Sequence, residues 1–188
     1  MKRLISLFSL LFAGYSLFAQ ITLTHIGENQ FENIPFAYEG TRVLMADRAD
    51  DLQSENIFLF SKPAKGTLPD TLFVQRYQKT NSQWTLVQQE TVVHDGAISL
   101  LSNRKGYLMG DGQHMAAFFI YQFWDHTLQH KQSVHLLLLF RGKAYEISRP
   151  AGASPAPEEL PDWLHDDFAE LPAKVKQSAI DYWEKLTP

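Results

Sequence analysis

His126 and His130 are four residues apart and Asp125 precedes the first of them, a grouping of side chains that could hold a metal ion. On a helix that spacing puts two imidazoles on one face, the arrangement zinc proteases use. The residue after the first histidine is Thr127, however, not the glutamate such an enzyme needs as general base. The segment from Asp125 to Ser133 also reads as a polar connection between two strands rather than a helix. Asp125, His126 and His130 are therefore the residues that would bind a metal if one bound, and the expectation is a solvated loop with no metal and no cofactor. His94, beside Asp95-Gly96, and His165, among Asp162, Asp166 and Asp167, read as turn and surface residues.

Gly110-Asp111-Gly112 suggests a calcium loop or a phosphate cradle. A calcium loop would need carboxylates at Tyr107 and Met109, and a dinucleotide fingerprint would need a third glycine at Met115 followed by a helix. The reading is a turn. No G-x-S-x-G, P-loop or H-E-x-x-H motif occurs, and there is no cysteine, which removes thiol nucleophiles, disulfides and thiolate metal sites together. Carboxylates gather at Asp47, Asp50, Asp51 and Glu55, and again at Asp162, Asp166, Asp167 and Glu170. Either group could supply an acid and base for glycoside hydrolysis if two carboxyls stood at the right separation. Solvated faces are the default. Trp84, Tyr107, Tyr121 and Trp124 form the candidate ligand platform, since aromatic rings stack on sugar faces, with core packing as the competing role.

The elements that would position these residues are mostly strands. Three tight hairpins are expected: Phe36 to Tyr38 with Thr41 to Ala46 around Glu39-Gly40, Val92 to His94 with Ala97 to Leu101 around Asp95-Gly96, and Leu136 to Phe140 with Ala144 to Ile147 around Arg141-Gly142-Lys143. Asn56 to Ser61, Thr71 to Tyr77 and Gln83 to Gln89 supply further strands. Met115 to Trp124 is apolar on both of its alternating faces and Val134 to Phe140 nearly so, which requires cover on both sides. The cover expected for one side is the C-terminal segment, where Val175, Ala179, Trp183 and Leu186 recur at helical spacing after Pro172. A shorter helical piece over Pro161 to Glu170 would precede it.

The fold class that follows is mainly β: an antiparallel β-sandwich or strongly curved sheet of about seven to nine strands, with one or two C-terminal helices packed on it. Residues 1–19 read as a signal peptide, with Lys2 and Arg3 before the apolar run Leu4 to Ala13, and cleavage after Ala19. Gly14, Tyr15 and Ser16 interrupt that run before it reaches the ~20 apolar residues of a membrane-spanning helix. Residues 20–149 form the β domain, 150–157 a Pro/Ala linker, and 158–188 the helical segment that docks on it. The formal charge is −4, and removal of Lys2 and Arg3 makes the chain more acidic still, which argues against nucleic acid as a partner.

Several segments, in order, resemble a family of small exported bacterial proteins labelled as surface polysaccharide biosynthesis proteins. They are Ser54 to Ser61 after an acidic turn, Gly110-Asp111-Gly112 leading into the aromatic strand that ends near Tyr121, Leu136 to Phe140 with Arg141-Gly142-Lys143 and Ala144 to Ile147, and the closing helix with Trp183. The family pattern has a glutamate soon after the Asp-Gly where this chain has Met115, so no ion-binding role carries over. The resemblance implies an envelope or surface-glycan context and no catalytic residues. The expected function is thus an exported accessory or binding protein of the cell envelope, non-enzymatic, periplasmic, outer-surface or secreted. Its expected partner is an envelope glycan or an envelope protein, with no transmembrane segment in the mature chain. The alternative is a glycan-directed hydrolase using an acidic carboxylate pair.

Overall fold

The computed structural model describes residues 21–51, 53–152 and 168–185. Residues 1–20, 153–157 of the 150–157 linker, 161–167 of the Pro161 to Glu170 helical piece, and Leu186 lie outside the described residues, and Phe168 to Glu170 form a turn.

Among the described residues nine strands form two antiparallel meanders. One sheet holds β1 (Thr22–His25), β2 (Arg42–Asp50), β3 (Glu55–Lys62), β4 (Asp70–Thr80) and β5 (Gln83–His94) in chain order. The other holds β6 (Ala97–Met109), β7 (Met115–Trp124), β8 (Lys131–Phe140) and β9 (Lys143–Pro150), again in chain order. The sheets pack face to face through one core in which Phe58, Phe60, Leu72 and Val74 meet Ala117, Phe119, Tyr121, Leu137 and Leu139. The protein is a β-sandwich.

Both outer faces of the sandwich carry cover, as the two-sided apolar strands require. Ala116, Phe118 and Ile120 of β7 and Leu136 and Leu138 of β8 pack under Val175, Ala179 and Trp183 of α1 (Ala173–Glu184), together with Phe168 and Leu171. The expected closing helix is therefore present, on the expected stripe. On the far side of the five-stranded sheet, Ile57, Leu59 and Tyr77 are covered by Ile26, Ile34, Phe36 and Tyr38, a segment that includes the short 3-10 turn Glu28–Asn33. Phe36 stacks on Tyr77 with ring centroids 3.8 Å apart.

Two of the three expected hairpins take another form. Phe36 to Tyr38 is irregular, because its aromatic side chains serve as cover instead of pairing with β2. Gly40 sits at φ 80° and packs against the Lys62 carbonyl, where a Cβ would stand 2.8 Å from that oxygen. At Asp95-Gly96 the strands on either side do not pair with each other: β5 ends one sheet and β6 begins the other, so this turn is the crossing between layers. Gly96 is needed there for close approach, since a Cβ would lie 2.0 Å from the Trp124 carbonyl oxygen. The third hairpin forms as expected, with Arg141 at φ 51° and Gly142 at φ 72° joining Phe140 to its partner Lys143. Those two positive φ values define the primed turn that suits the strand twist.

Candidate functional site

Polar residues interrupt the inward-facing series of the five-stranded sheet at its ends. On β3 the inward positions run Asn56, Phe58, Phe60, Lys62, and on β4 they run Leu72, Val74, Arg76. At one end Lys62 Nζ donates to Asp70 Oδ2 and to the Ile98 carbonyl, both at 2.5 Å, and Asp70 Oδ2 also accepts from the Ile98 N–H at 2.7 Å. That knot ties the two sheets together where the chain crosses between them. At the other end Arg76, backed by the buried Asn56, lines a cleft of about 470 Å³.

The cleft lies where the turns β2–β3, β6–β7 and β8–β9 converge, the end of a sandwich from which loops can present side chains to a ligand. Its walls include Gln53, Gln78 and Gln113 with Arg76, Arg141 and His114. Arg76 Nε and Nη2 both donate to Asn56 Oδ1, at 3.1 and 3.0 Å. Asn56 is in turn oriented by its own Nδ2, which donates to Ser54 Oγ at 2.9 Å and the Ala49 carbonyl at 3.2 Å. The guanidinium lies 5.6 Å from the centre of the Phe58 ring. No carboxylate among the described residues forms an ion pair with it. Burial lowers its pKa from the usual arginine value and the charge of Asp51 only partly offsets this. A β-bulge across from it, where the β4–β5 register shifts between Arg76 and Tyr77, leaves Val87 without a partner and lining the cleft. Bulges of this kind recur beside sites because they re-aim side chains.

The second cation of the cleft is held from behind. Arg141 donates through Nε at 3.0 Å and through Nη2 to Asp111 Oδ2, while Asp111 Oδ1 accepts from the N–H groups of Gln113 and His114 at 3.0 and 2.7 Å. Burial alone would raise the Asp111 pKa, but Arg141, the two N–H groups and the His114 ring together hold it well below the usual carboxylate range. Gly110-Asp111-Gly112 is thus a turn, and its carboxylate anchors an arginine at the mouth of the cleft. Asp51, the one carboxylate lining the cleft, accepts through Oδ1 from the N–H groups of Gln53 and Ser54 at 2.8 and 2.7 Å.

The residues singled out by sequence fall elsewhere. Trp84 packs on the outer face of the five-stranded sheet beside Phe36, with Lys79 Nζ 5.9 Å from the centre of its ring. Tyr107 and Tyr121 lie between the sheets, Tyr107 donating to Asp47 Oδ2 at 2.9 Å. Trp124 is half-buried at the end of β7, and its carbonyl meets His94 Nε2 at 3.0 Å. The four aromatics do not share a face. Asp125 closes its own loop: Oδ2 meets His130 Nδ1 at 2.9 Å, and Oδ1 accepts from Thr127 Oγ1 and the Gln129 N–H. His126 is exposed. No cluster of three metal-ligating side chains occurs among the described residues.

The first acidic group is divided by its strand. Asp47 is fully buried, while Asp50 and Glu55 both pair with Arg48 at 2.6 Å and Glu55 also with Lys79 at 3.1 Å. Of the second group, Asp162, Asp166 and Asp167 lie outside the described residues, and Glu170 pairs with Lys143 at 2.5 Å.

Sequence reasoning passed over Arg76 and Asn56, although the signal was there. Leu72 and Val74 alternate into the core, and the next residue in that series is an arginine. No helix among the described residues is long and apolar enough to cross a membrane. Comparison with protein-family models, with curated proteins and with solved structures finds no match to this chain.

Proposed function

We propose that this is an exported accessory protein of the cell envelope that binds an acidic surface glycan in the Arg76 cleft. The observation that carries the reading is Arg76 itself, a part-buried cation with no carboxylate ion-paired to it among the described residues. Burying a charge is costly unless an opposite charge and hydrogen bonds accompany it, so a ligand carboxylate is the group that would complete this site. The amides of Gln53, Gln78 and Gln113 around it offer donors and acceptors suited to sugar hydroxyls. The amino-terminal signal and the family resemblance support the same envelope setting. Asp50 and Glu55 of the first acidic group are held in ion pairs, so no specific observation favours the hydrolase alternative.

Calorimetric titration with a uronic-acid oligosaccharide, and with a neutral glucan of equal length as control, tests the proposal. Binding of the acidic sugar alone is expected, weakened about tenfold or more in Arg76→Gln, the loss of roughly 1.4 kcal/mol or more expected when one charge-assisted contact is removed. Equal affinity for the two sugars, no binding of either, or an unchanged affinity in a folded Arg76→Gln variant would overturn it.

A further inference from the structure

In the other half of the sandwich, three side chains from two strands make a continuous hydrogen-bonded chain on the inner face of the four-stranded sheet. Ser133 and His135 are two residues apart on β8 and so share a face. Glu146, on the outermost strand β9, pairs with Leu137 and stands diagonally beside His135 on that same face. Ser133 Oγ is 2.7 Å from His135 Nε2, and His135 Nδ1 is 2.6 Å from Glu146 Oε1.

The order of these bonds places the protons. The hydrogen bond from His135, with a smaller contribution from Tyr121, outweighs burial and keeps the Glu146 pKa below its ordinary value, so its carboxylate is ionised and only accepts. With the imidazole uncharged, its one proton sits on Nδ1, facing that carboxylate. Nε2 is left with a lone pair, and the Ser133 hydroxyl donates to it. A hydroxyl bonded to an imidazole whose far nitrogen is held by a carboxylate is the arrangement that makes serine a nucleophile.

The surroundings hold the ring and suggest the substrate. His135 stacks on Tyr121, its partner across the strands, with centroids 4.7 Å apart and planes 8° apart, and Phe123 lies at 4.1 Å on the β7 side. Phe123 is the cross-strand partner of Ser133, and His94 stacks on it at 4.1 Å. Aromatic rings therefore wall the serine, which is itself only partly buried, while the Glu146 side chain is 45% exposed at the sheet edge. Such walls suit a short acyl chain or an aryl group better than a charged one.

We propose that Ser133 is a catalytic nucleophile, with His135 as its general base and Glu146 as a positioning residue, and that this site hydrolyses short apolar carboxylic esters. Ser133 Oγ adds to the ester carbonyl carbon as its proton passes to His135 Nε2. The bond from that carbon to the alcohol oxygen breaks, the alcohol leaves with the proton, and the acyl group remains on Ser133. Water then gives a proton to Nε2 and its oxygen to the acyl carbon, the bond to Ser133 Oγ breaks, and the proton returns to the serine as the carboxylic acid departs.

The test uses the mature chain with p-nitrophenyl butyrate as substrate and a fluorophosphonate as covalent probe, the adduct being located by peptide mass spectrometry. One adduct on Ser133 is expected, absent in Ser133→Ala, with hydrolysis lowered by about 10³-fold or more in that variant. Glu146→Gln should lower kcat by about tenfold or more with KM unchanged, and Glu146→Asp should restore part of it. Ser133→Ala removes a single oxygen, so its melting temperature serves as the folding control where loss of buried His135 would not. No adduct on Ser133 in the folded protein, or hydrolysis by Ser133→Ala at the parent rate, would overturn the proposal and leave the three side chains a purely structural role.

Discussion

Asp47 and Lys105 meet at 2.5 Å between the two sheets, and the carboxylate is wholly shielded from water. The same carboxylate accepts from Tyr107 at 2.9 Å and meets His25 Nδ1 at 2.9 Å. Burial first, and then the charge of Asp47, push the Tyr107 pKa well above its usual value, so the phenol stays protonated and donates. One buried anion therefore gathers residues of β1, β2 and β6 and joins the sheets along the side where β1 and β6 are the edge strands.

Removing Lys105 leaves the buried Asp47 carboxylate with only Tyr107 and His25 as partners, and breaking a buried ion pair typically costs about 3–5 kcal/mol. Lys105→Met is expected to lose that much, and the double variant with Asp47→Asn to lose clearly less than the sum of the single losses. A urea-unfolding double-mutant cycle measures the coupling. A Lys105→Met protein as stable as the parent would show that the pair does not hold the layers.

The crossing at Gly96 makes a second prediction. A Cβ there would stand 2.0 Å from the Trp124 carbonyl oxygen and 2.8 Å from His94 Nε2, so the backbone itself must move to admit it. Gly96→Ala should cost about 3 kcal/mol or more, the upper end for overpacking. Gly112, at φ +81° with nothing within 4 Å of the place a Cβ would occupy, should cost only the ~1–2 kcal/mol of a left-handed residue. Similar midpoints for the two alanine variants in thermal unfolding would count against the close approach at Gly96.

Where the hydrophobic pattern was regular, sequence and structure agree. Met115 to Trp124 announced a strand covered twice, and Val175, Ala179 and Trp183 announced the helix that covers one side. Local turn chemistry was less informative. Asp95-Gly96 has hairpin composition, but whether the next strand pairs with the last or enters another layer depends on Trp124, nearly thirty residues away in sequence. The Asp47–Lys105 pair was hidden for a different reason. On β6, Ile98 and Leu100 face the core, then the register slips between Leu100 and Lys105, and the inward positions become Lys105, Tyr107 and Met109. A period-two reading continued through that irregularity sends Lys105 to the wrong face. The Ser133–His135–Glu146 chain was hidden because its third member arrives from another strand, on a diagonal that only the pairing register defines.

Asp111 sets a pH dependence with a definite sign. Its pKa is depressed in the folded protein, so the stability it contributes is fully present above the ordinary carboxylate value of 3.8 and is lost as pH falls below that value towards the folded one. Asp111→Asn should therefore be less stable than the parent from pH 5 to 7, and the gap should narrow as the pH is lowered from about 4. Unfolding midpoints measured across that range check it. A gap that is constant with pH would mean that Arg141 and the two N–H groups do not favour the charged form.

The closing helix carries the last prediction. Trp183 is 3% exposed, packs with Val175 and Ala179 over Phe118 and Leu136, and lies under Arg149, whose guanidinium carbon is 5.0 Å from the centre of its ring. Truncating a buried tryptophan to alanine typically costs about 3–5 kcal/mol, a large part of the roughly 5–15 kcal/mol that holds a domain together. Trp183→Ala should lower the unfolding midpoint sharply or yield protein that binds hydrophobic dyes. Lys176 donates to the Ala169 carbonyl at 3.2 Å on the solvent side of the same helix, and its replacement by alanine should change stability by less than about 0.5 kcal/mol. Small and equal effects from both changes would show that the helix rests on the sheet without closing it, so that the outer face of β7 and β8 would have to derive its stability from other contacts.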